Sequence, residues 1–220
     1  MKIICIIPAR GGSKRIKNKN ILKLNSIPLI NLVINKIHKS KLINEIMIFS
    51  NDKNIRNSIS KLINIKKITI NNRSKKSEKD EASTEILLKE INLKYSYDIA
   101  ILLQITNPFI SDKIIDKALT KFIKNNYDSM LSVVPMKAFL WEKKGSFIKA
   151  KNYKITKRPR SQKINDYYLE NGSFYIYKKS NFLKTNNRLG GKIGFFEMKK
   201  ESIFELDDYN DLEIIKKLIK

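Results

Sequence analysis

Short apolar runs rich in isoleucine and valine alternate along this chain with longer stretches whose apolar residues recur every three or four positions. Residues 3–7, 45–49, 67–70, 99–104, 129–134, 173–177 and 193–198 have the length and β-branched content of buried strands. Between them lie helical periods. The clearest is 112–124, where Ile114, Ile115, Ala118, Leu119, Phe122 and Ile123 form one apolar face. Residues 30–39 form another, and Leu212, Ile215, Leu218 and Ile219 repeat the pattern near the C-terminus. Strands apolar at nearly every position, each followed by a helix, predict an α/β fold with a mostly parallel sheet and helices on both faces. In such a sheet ligands bind beyond the carboxyl ends of the strands.

The polar residues at those ends carry the candidate chemistry. The first run opens into Ala9-Arg10-Gly11-Gly12-Ser13-Lys14-Arg15, followed by Lys17, Lys19 and Asn20. Two glycines permit a tight turn, and exposed N–H groups beside Arg10, Lys14 and Arg15 would neutralise a polyphosphate. The loop lacks the Gly-Lys-Ser/Thr of a Walker A motif and the dinucleotide fingerprint. Alone, it reads either as a triphosphate cradle or as a basic turn. Ser50-Asn51-Asp52 and Gln104-Ile105-Thr106-Asn107-Pro108 end two further runs and would line the same crevice.

Composition narrows the setting. The 220 residues suffice for one domain, in which residues 136–170, polar, aromatic and basic, interrupt the strand-helix rhythm as an insertion. Residues 71–79 read as a mobile polar loop. Cys5, the single cysteine, sits inside the first apolar run, so no disulfide framework is expected; with neither a signal-peptide pattern nor a membrane-length apolar segment, the expected setting is the cytoplasm. The net charge of +24 would suit a nucleic-acid-binding protein. Its excess lysine is spread over the whole chain, however, together with surplus isoleucine and asparagine, so no nucleic-acid partner and no membrane insertion is expected. Arginine is the more informative cation, because its planar fork grips phosphate or carboxylate bidentately. It occurs at Arg10, Arg15, Arg56, Arg73, Arg158, Arg160 and Arg188.

Two more constellations stand out. Glu205 and Asp207 are two residues apart, so in extended chain they would face one side about 6.6 Å apart and could hold a hard divalent cation such as Mg²⁺. Equally, Asp207 or Asp208 could cap the C-terminal helix, with Asp211 in its first turn. Arg158-Pro159-Arg160-Ser161-Gln162 forms the second dense cationic site. Asn171-Gly172 reads as a turn into an edge strand. One histidine, His38, and one cysteine support neither a zinc site nor a hydrolytic triad.

Taken together, Ile6-Ile7-Pro8-Ala9-Arg10-Gly11-Gly12-Ser13-Lys14 with Lys19-Asn20, Ser50-Asn51-Asp52, Asp80-Glu81-Ala82-Ser83-Thr84, Leu102-Leu103-Gln104, Tyr127-Asp128-Ser129, the 157–162 segment, Glu170-Asn171-Gly172-Ser173-Phe174-Tyr175 and Gly190-Gly191-Lys192 resemble, in order, the motifs of the N-acylneuraminate (sialic acid) cytidylyltransferases. The resemblance implies a Rossmann-like nucleotidyltransferase fold with an inserted dimerisation segment, and a homodimer. It further implies transfer of CMP from CTP to the anomeric hydroxyl of a 3-deoxy-2-keto sugar acid, with pyrophosphate released and Mg²⁺ as cofactor. By resemblance, Arg10, Lys14 and Asp207 are the catalytic set. Gly11, Gly12, Ser13, Asn20, Ser50, Asp80 and Ser83 join Arg10 and Lys14 in holding the nucleotide. Gln104, Arg158, Arg160, Gln162, Asn171 and Tyr175 face the sugar acid, and Glu205 and Asp207 hold the metal. The chain departs from the family pattern at Glu205, where an aspartate is common, and at 105–110, where an arginine is missing. A 3-deoxy-octulosonate cytidylyltransferase is the nearest alternative; a basic, non-catalytic nucleic-acid-binding protein is the one from another class.

Overall fold

Ile3, Cys5 and Ile7 bury against one layer of helices while Ile4 and Ile6 bury against the other, as a strand apolar at every position must when both faces of its sheet are covered. The computed structural model describes residues 1–13, 15–62, 64–79, 81–164 and 167–219. Among these, a seven-stranded sheet is built from β1 (Ile3–Pro8), β4 (Glu45–Phe49), β5 (Ile68–Asn71), β6 (Ile99–Leu103), β7 (Ser129–Met136), β10 (Tyr167–Lys178) and β11 (Ile193–Glu197), in the order β11-β7-β10-β6-β1-β4-β5. Neighbours run parallel except β10, which is antiparallel to both β6 and β7. Two small hairpins complete the strands: β2 (Lys23–Leu24) with β3 (Ile27–Pro28), and β8 (Trp141–Lys144) with β9 (Phe147–Ala150).

Helices α1 (Leu29–Ile37), α2 (Lys53–Ile59), α5 (Asp112–Lys124) and α7 (Tyr209–Leu218) pack on one face, and α4 (Thr84–Lys94) and α6 (Lys179–Thr185) on the other. The short α3 (Lys75–Glu78) precedes α4. The α5 boundaries match the sequence expectation, its start fixed by the Ser111 hydroxyl accepting from the Ile114 N–H at 3.2 Å. Because the chain passes from β1 outward to β4 and β5 and then returns to β6 on the other side, a crevice opens beyond the carboxyl end of β1.

Three expectations are revised. Residues 167–170, assigned to the insertion, belong to β10; the segment between β7 and β10 is the exposed β8–β9 hairpin followed by short turns of 3₁₀-helix at Ile155–Lys157 and Ser161–Lys163. Asn171-Gly172 is a bulge within β10, an interior strand, where the pairing with β7 shifts between Glu170 and Tyr175 and Gly172 takes φ +59°. Residues 71–79 are anchored, with the Ser74 hydroxyl capping α3 at the Ser77 N–H and Arg73 buried.

Candidate active site

A cleft of about 340 Å³ lies beyond β1 and β6, lined among others by Arg10, Ser13, Arg15, Lys19, Asn20, Arg73, Ala82, Thr84, Gln104, Thr106 and Asp207. Residues from five separate stretches of sequence therefore meet at one place. Among the described residues, four cationic side chains on the wall face one carboxylate, a charge balance made for a polyanion.

The β1 loop is shaped by contacts behind it. A Cβ on Gly11 would overlap the Asp52 carboxylate, which itself caps α2 by accepting from the Ile55 N–H at 2.9 Å. Gly12 takes φ +73°. The Asn20 side-chain amide donates to the Arg10 carbonyl at 2.8 Å and so pins the loop from its far end. Lys14 and Asp80, both expected to hold the nucleotide, lie outside the described residues.

Asp207 faces the cleft with one carboxylate oxygen 3.0 Å from Lys19 Nζ and the other 3.1 Å from an Arg15 nitrogen. Burial opposes its ionisation, but the Lys19 hydrogen bond and charge, followed by Arg15, more than offset this and hold its pKa below the ordinary aspartate value. Glu205 behaves oppositely: burial first, then the Asp207 charge, pushes it up to about 7, with Lys19 opposing and Glu170 and Asp211 adding. Leu206 between them is buried and its N–H donates to the Thr106 carbonyl at 2.8 Å, which ties this extended segment to the end of β6. Glu205 lies against Gly172, where any Cβ would overlap its carboxylate. The helix cap is Asp208, in a capping box with Asp211, so the alternatives left open by the sequence divide: Asp208 starts α7 and Asp207 is left to the cleft.

Other expected site residues are placed elsewhere. Ser50 is fully buried and its hydroxyl accepts from the Asp52 N–H at 3.2 Å, so it belongs to the frame beneath the loop and not to the nucleotide surface. Asn171 is likewise buried: it accepts from the Ser132 hydroxyl at 2.6 Å and donates to Ser202 Oγ at 2.8 Å, locking the β10 bulge instead of meeting substrate. Tyr175 is buried beside the cleft floor, on β10 opposite the cleft-lining Leu102, and its hydroxyl donates to Glu170. Ser83 is exposed at the start of α4, between cleft-lining Ala82 and Thr84, and makes no side-chain cap bond. Arg158, Arg160 and Gln162 stand exposed on the insertion and do not line the cleft; Arg158 stacks 4.0 Å from the Phe139 ring centroid.

Arg73 is the cleft residue that sequence reasoning missed. It is 8% exposed, a guanidinium nitrogen donates to the Ser77 carbonyl, and Nε has no partner among the described residues. Burial, reinforced by the nearby Arg10 charge, lowers its pKa against the pull of Glu78 and Glu90. Asn51 holds it: the Asn51 side chain accepts from the Arg73 N–H at 2.8 Å and donates to the Arg73 carbonyl at 3.0 Å, imitating a strand pairing, while also donating to Glu78 at 2.8 Å. The available signal was the retention of arginine in a lysine-dominated chain.

A sheet with its switch point at a glycine-rich basic loop, and a cationic cleft with Asp207 on its wall, are the arrangement of a nucleotidyltransferase site. The cytidylyltransferase family model matches residues 4–220, and the chain belongs to that family, as a CTP-dependent nucleotidyltransferase. It is 30% identical to the post-translational flagellin modification protein B of Campylobacter coli, across all of this chain and 95% of that protein. It is 28% identical to a pseudaminic acid cytidylyltransferase of Campylobacter jejuni, across 100% and 97% of the two chains. Against N-acylneuraminate cytidylyltransferase A of Danio rerio it is 31% identical over 93% of its own length, and it spans about half of that longer protein (48%). A solved CMP:2-keto-3-deoxy-manno-octonic acid synthetase complexed with CTP shares the fold, with a TM-score of 0.71 at 18% identity over 100% of this chain and 98% of the other. No helix among the described residues is long and apolar enough to cross a membrane.

Proposed function

We propose that this chain transfers the cytidylyl group of CTP to the anomeric hydroxyl of a nine-carbon 3-deoxy-2-keto sugar acid of the sialic, legionaminic or pseudaminic type. The observation that carries this reading is the convergence of Arg10, Arg15, Lys19 and Arg73 with Asp207 around one cleft, with Gln104 on its wall and Glu205 within electrostatic reach of Asp207 and Lys19. The relatives named for N-acylneuraminate and pseudaminic acid support the sugar class.

The sugar oxygen attacks the α-phosphorus, the bond to the bridging oxygen breaks, pyrophosphate leaves, and the hydroxyl proton passes to water. No protein nucleophile is needed; orientation and charge neutralisation supply the rate. Arg10 and the loop N–H groups hold the triphosphate, and Arg15 and Lys19 exchange part of their contact with Asp207 for phosphate oxygens. Arg73 and the 82–84 backbone face the nucleoside end. Glu205 and Asp207 fit a hard divalent ion: both are oxygen donors two residues apart, and since no cluster of three His, Cys, Asp or Glu occurs among the described residues, phosphate and water oxygens would complete the shell. A magnesium ion held by Glu205 and Asp207 would supply Lewis-acid polarisation of the α-phosphate. The exposed Trp141, Phe147, Ile148 and Ile155 of the insertion would be covered in a homodimer, which would carry Arg158, Arg160 and Gln162 toward the partner's cleft.

Pyrophosphate release from CTP and Mg²⁺, measured with sialic, legionaminic, pseudaminic and 3-deoxy-octulosonic acids, tests the reading. Turnover with a nine-carbon acid is expected, and Asp207→Asn should lower kcat by about 10²- to 10³-fold. Release with none of the acids refutes it, and release with the eight-carbon acid alone transfers the assignment to that substrate.

A further inference from the structure

Glu85 and Arg188, 103 residues apart in the sequence, meet at 2.6 Å. Arg188 also stacks on Tyr175, its guanidinium carbon 4.4 Å from the ring centroid. The pair stands one residue beyond the cleft wall on two sides, since Glu85 follows cleft-lining Thr84 at the start of α4 and Tyr175 pairs in register with cleft-lining Leu102. In the sheet order β10 lies two strands from β1 and its phosphate-facing loop, so this is the side left for the acceptor.

We infer that the Glu85–Arg188 pair, laid against Tyr175, reads a neutral hydrogen-bonding substituent of the acceptor sugar, a hydroxyl or an acylamino group, and thereby helps to select which sugar acid is used. The inference rests on the functional reading above. Only one Arg188 nitrogen is committed to Glu85; Nε and the other terminal nitrogen meet no acceptor among the described residues, and both side chains keep partial access to solvent, at 21% for Arg188 and 28% for Glu85. A substituent with an O–H or N–H and an oxygen can donate to Glu85 and accept from Arg188 at once. The sugar's carboxylate suits the place poorly. It would meet a single guanidinium already neutralised by Glu85, with Glu170 hydrogen-bonded to the same tyrosine and Glu205 within electrostatic reach of it.

Two variants test this: Arg188→Met, which keeps a stem over Tyr175, and Glu85→Gln, which keeps shape. For each, kcat and KM are measured with CTP and the acid that wild type uses best, and with analogues of that acid lacking one hydroxyl or one acylamino group. Arg188→Met should raise KM for the acid about 10- to 100-fold, the range for losing a charge-assisted hydrogen bond, with KM for CTP within about twofold of wild type. In both variants, discrimination against one analogue should collapse to within about threefold, and which analogue it is tells hydroxyl from acylamino. Retained discrimination in both variants, or a KM for CTP that rises in parallel, overturns the inference while leaving the function intact. A wild type stabilised by CTP that transfers to no keto-sugar acid overturns the functional reading, and the inference with it.

Discussion

Replacing Gly172 with alanine imposes two separable strains. The backbone is held at φ +59°, where a side chain costs about 1–2 kcal/mol. The new methyl would also overlap the Glu205 carboxylate and stand 2.6 Å from its carboxyl carbon, so the glutamate must leave its place. Driving a side chain off its preferred rotamer costs about 0.5–1.5 kcal/mol. A total of about 2.5 kcal/mol lowers Tm by about 5–10 °C in a chain of this size. Thermal denaturation of Gly172→Ala and of Glu205→Ala, singly and combined, checks the split. In the Glu205→Ala background only the backbone cost should remain, giving a coupling of about 1 kcal/mol. The pyrophosphate assay should show kcat falling in Gly172→Ala, because the displaced carboxylate is one of the proposed metal pair. Equal Tm losses in both backgrounds, or an unchanged kcat beside a lowered Tm, would refute the claim that Gly172 exists to seat Glu205.

Asn51→Ala removes both hydrogen bonds that fix the Arg73 backbone and should raise KM for CTP by about tenfold with little change in kcat; steady-state kinetics showing an unaltered KM would remove Asn51 as a positioning residue. Asp128 is held below the ordinary aspartate pKa, chiefly by the Lys192 backbone N–H and then by Lys178. Its stabilisation is therefore present above its unfolded value near 3.8 and is lost as pH falls through the lower folded value. Urea denaturation across pH should show the stability gap between wild type and Asp128→Asn closing below pH 3.8, and a gap independent of pH would contradict this origin.

The centre of the sheet was legible because β1, β4 and β6 are buried on both faces and so are almost wholly apolar: residues 45–49 match β4 at both ends. The cleft was half legible. Arg10 and Gln104 follow the ends of β1 and β6, and strand ends in such a sheet meet at one edge; Asn20 and Asp207 lie farther along the chain and were found by motif. What local pattern does not carry is which polar residue of a strand-end motif faces ligand and which faces the frame. In Ser50-Asn51-Asp52 all three sit at the carboxyl end of β4, yet the hydroxyl stays inside, Asn51 turns to Arg73 and Asp52 turns to α2. Asn171-Gly172 misled for a related reason. A glycine at positive φ serves a hairpin turn or a bulge equally well, and here Ser132 and Ser202, distant in sequence, decide for the bulge. Arg73 was hidden because its polar neighbours read as loop, whereas Ser74 and Asn51 fix the segment by side-chain bonds to backbone.

The β10 bulge also sets how the chain can tolerate changes in length. Residues 141–163 form a largely exposed arm, where residues can be gained or lost by lengthening a hairpin. From Phe174 to Lys178 every position is in register with β6, and Tyr175 to Tyr177 with β7 as well, so a single deletion between Glu170 and Phe174 would fall on the bulge and disturb the seat of Glu205 at Gly172. Room for insertion in the arm and fixed register in the floor are thus separated by a few residues of one strand.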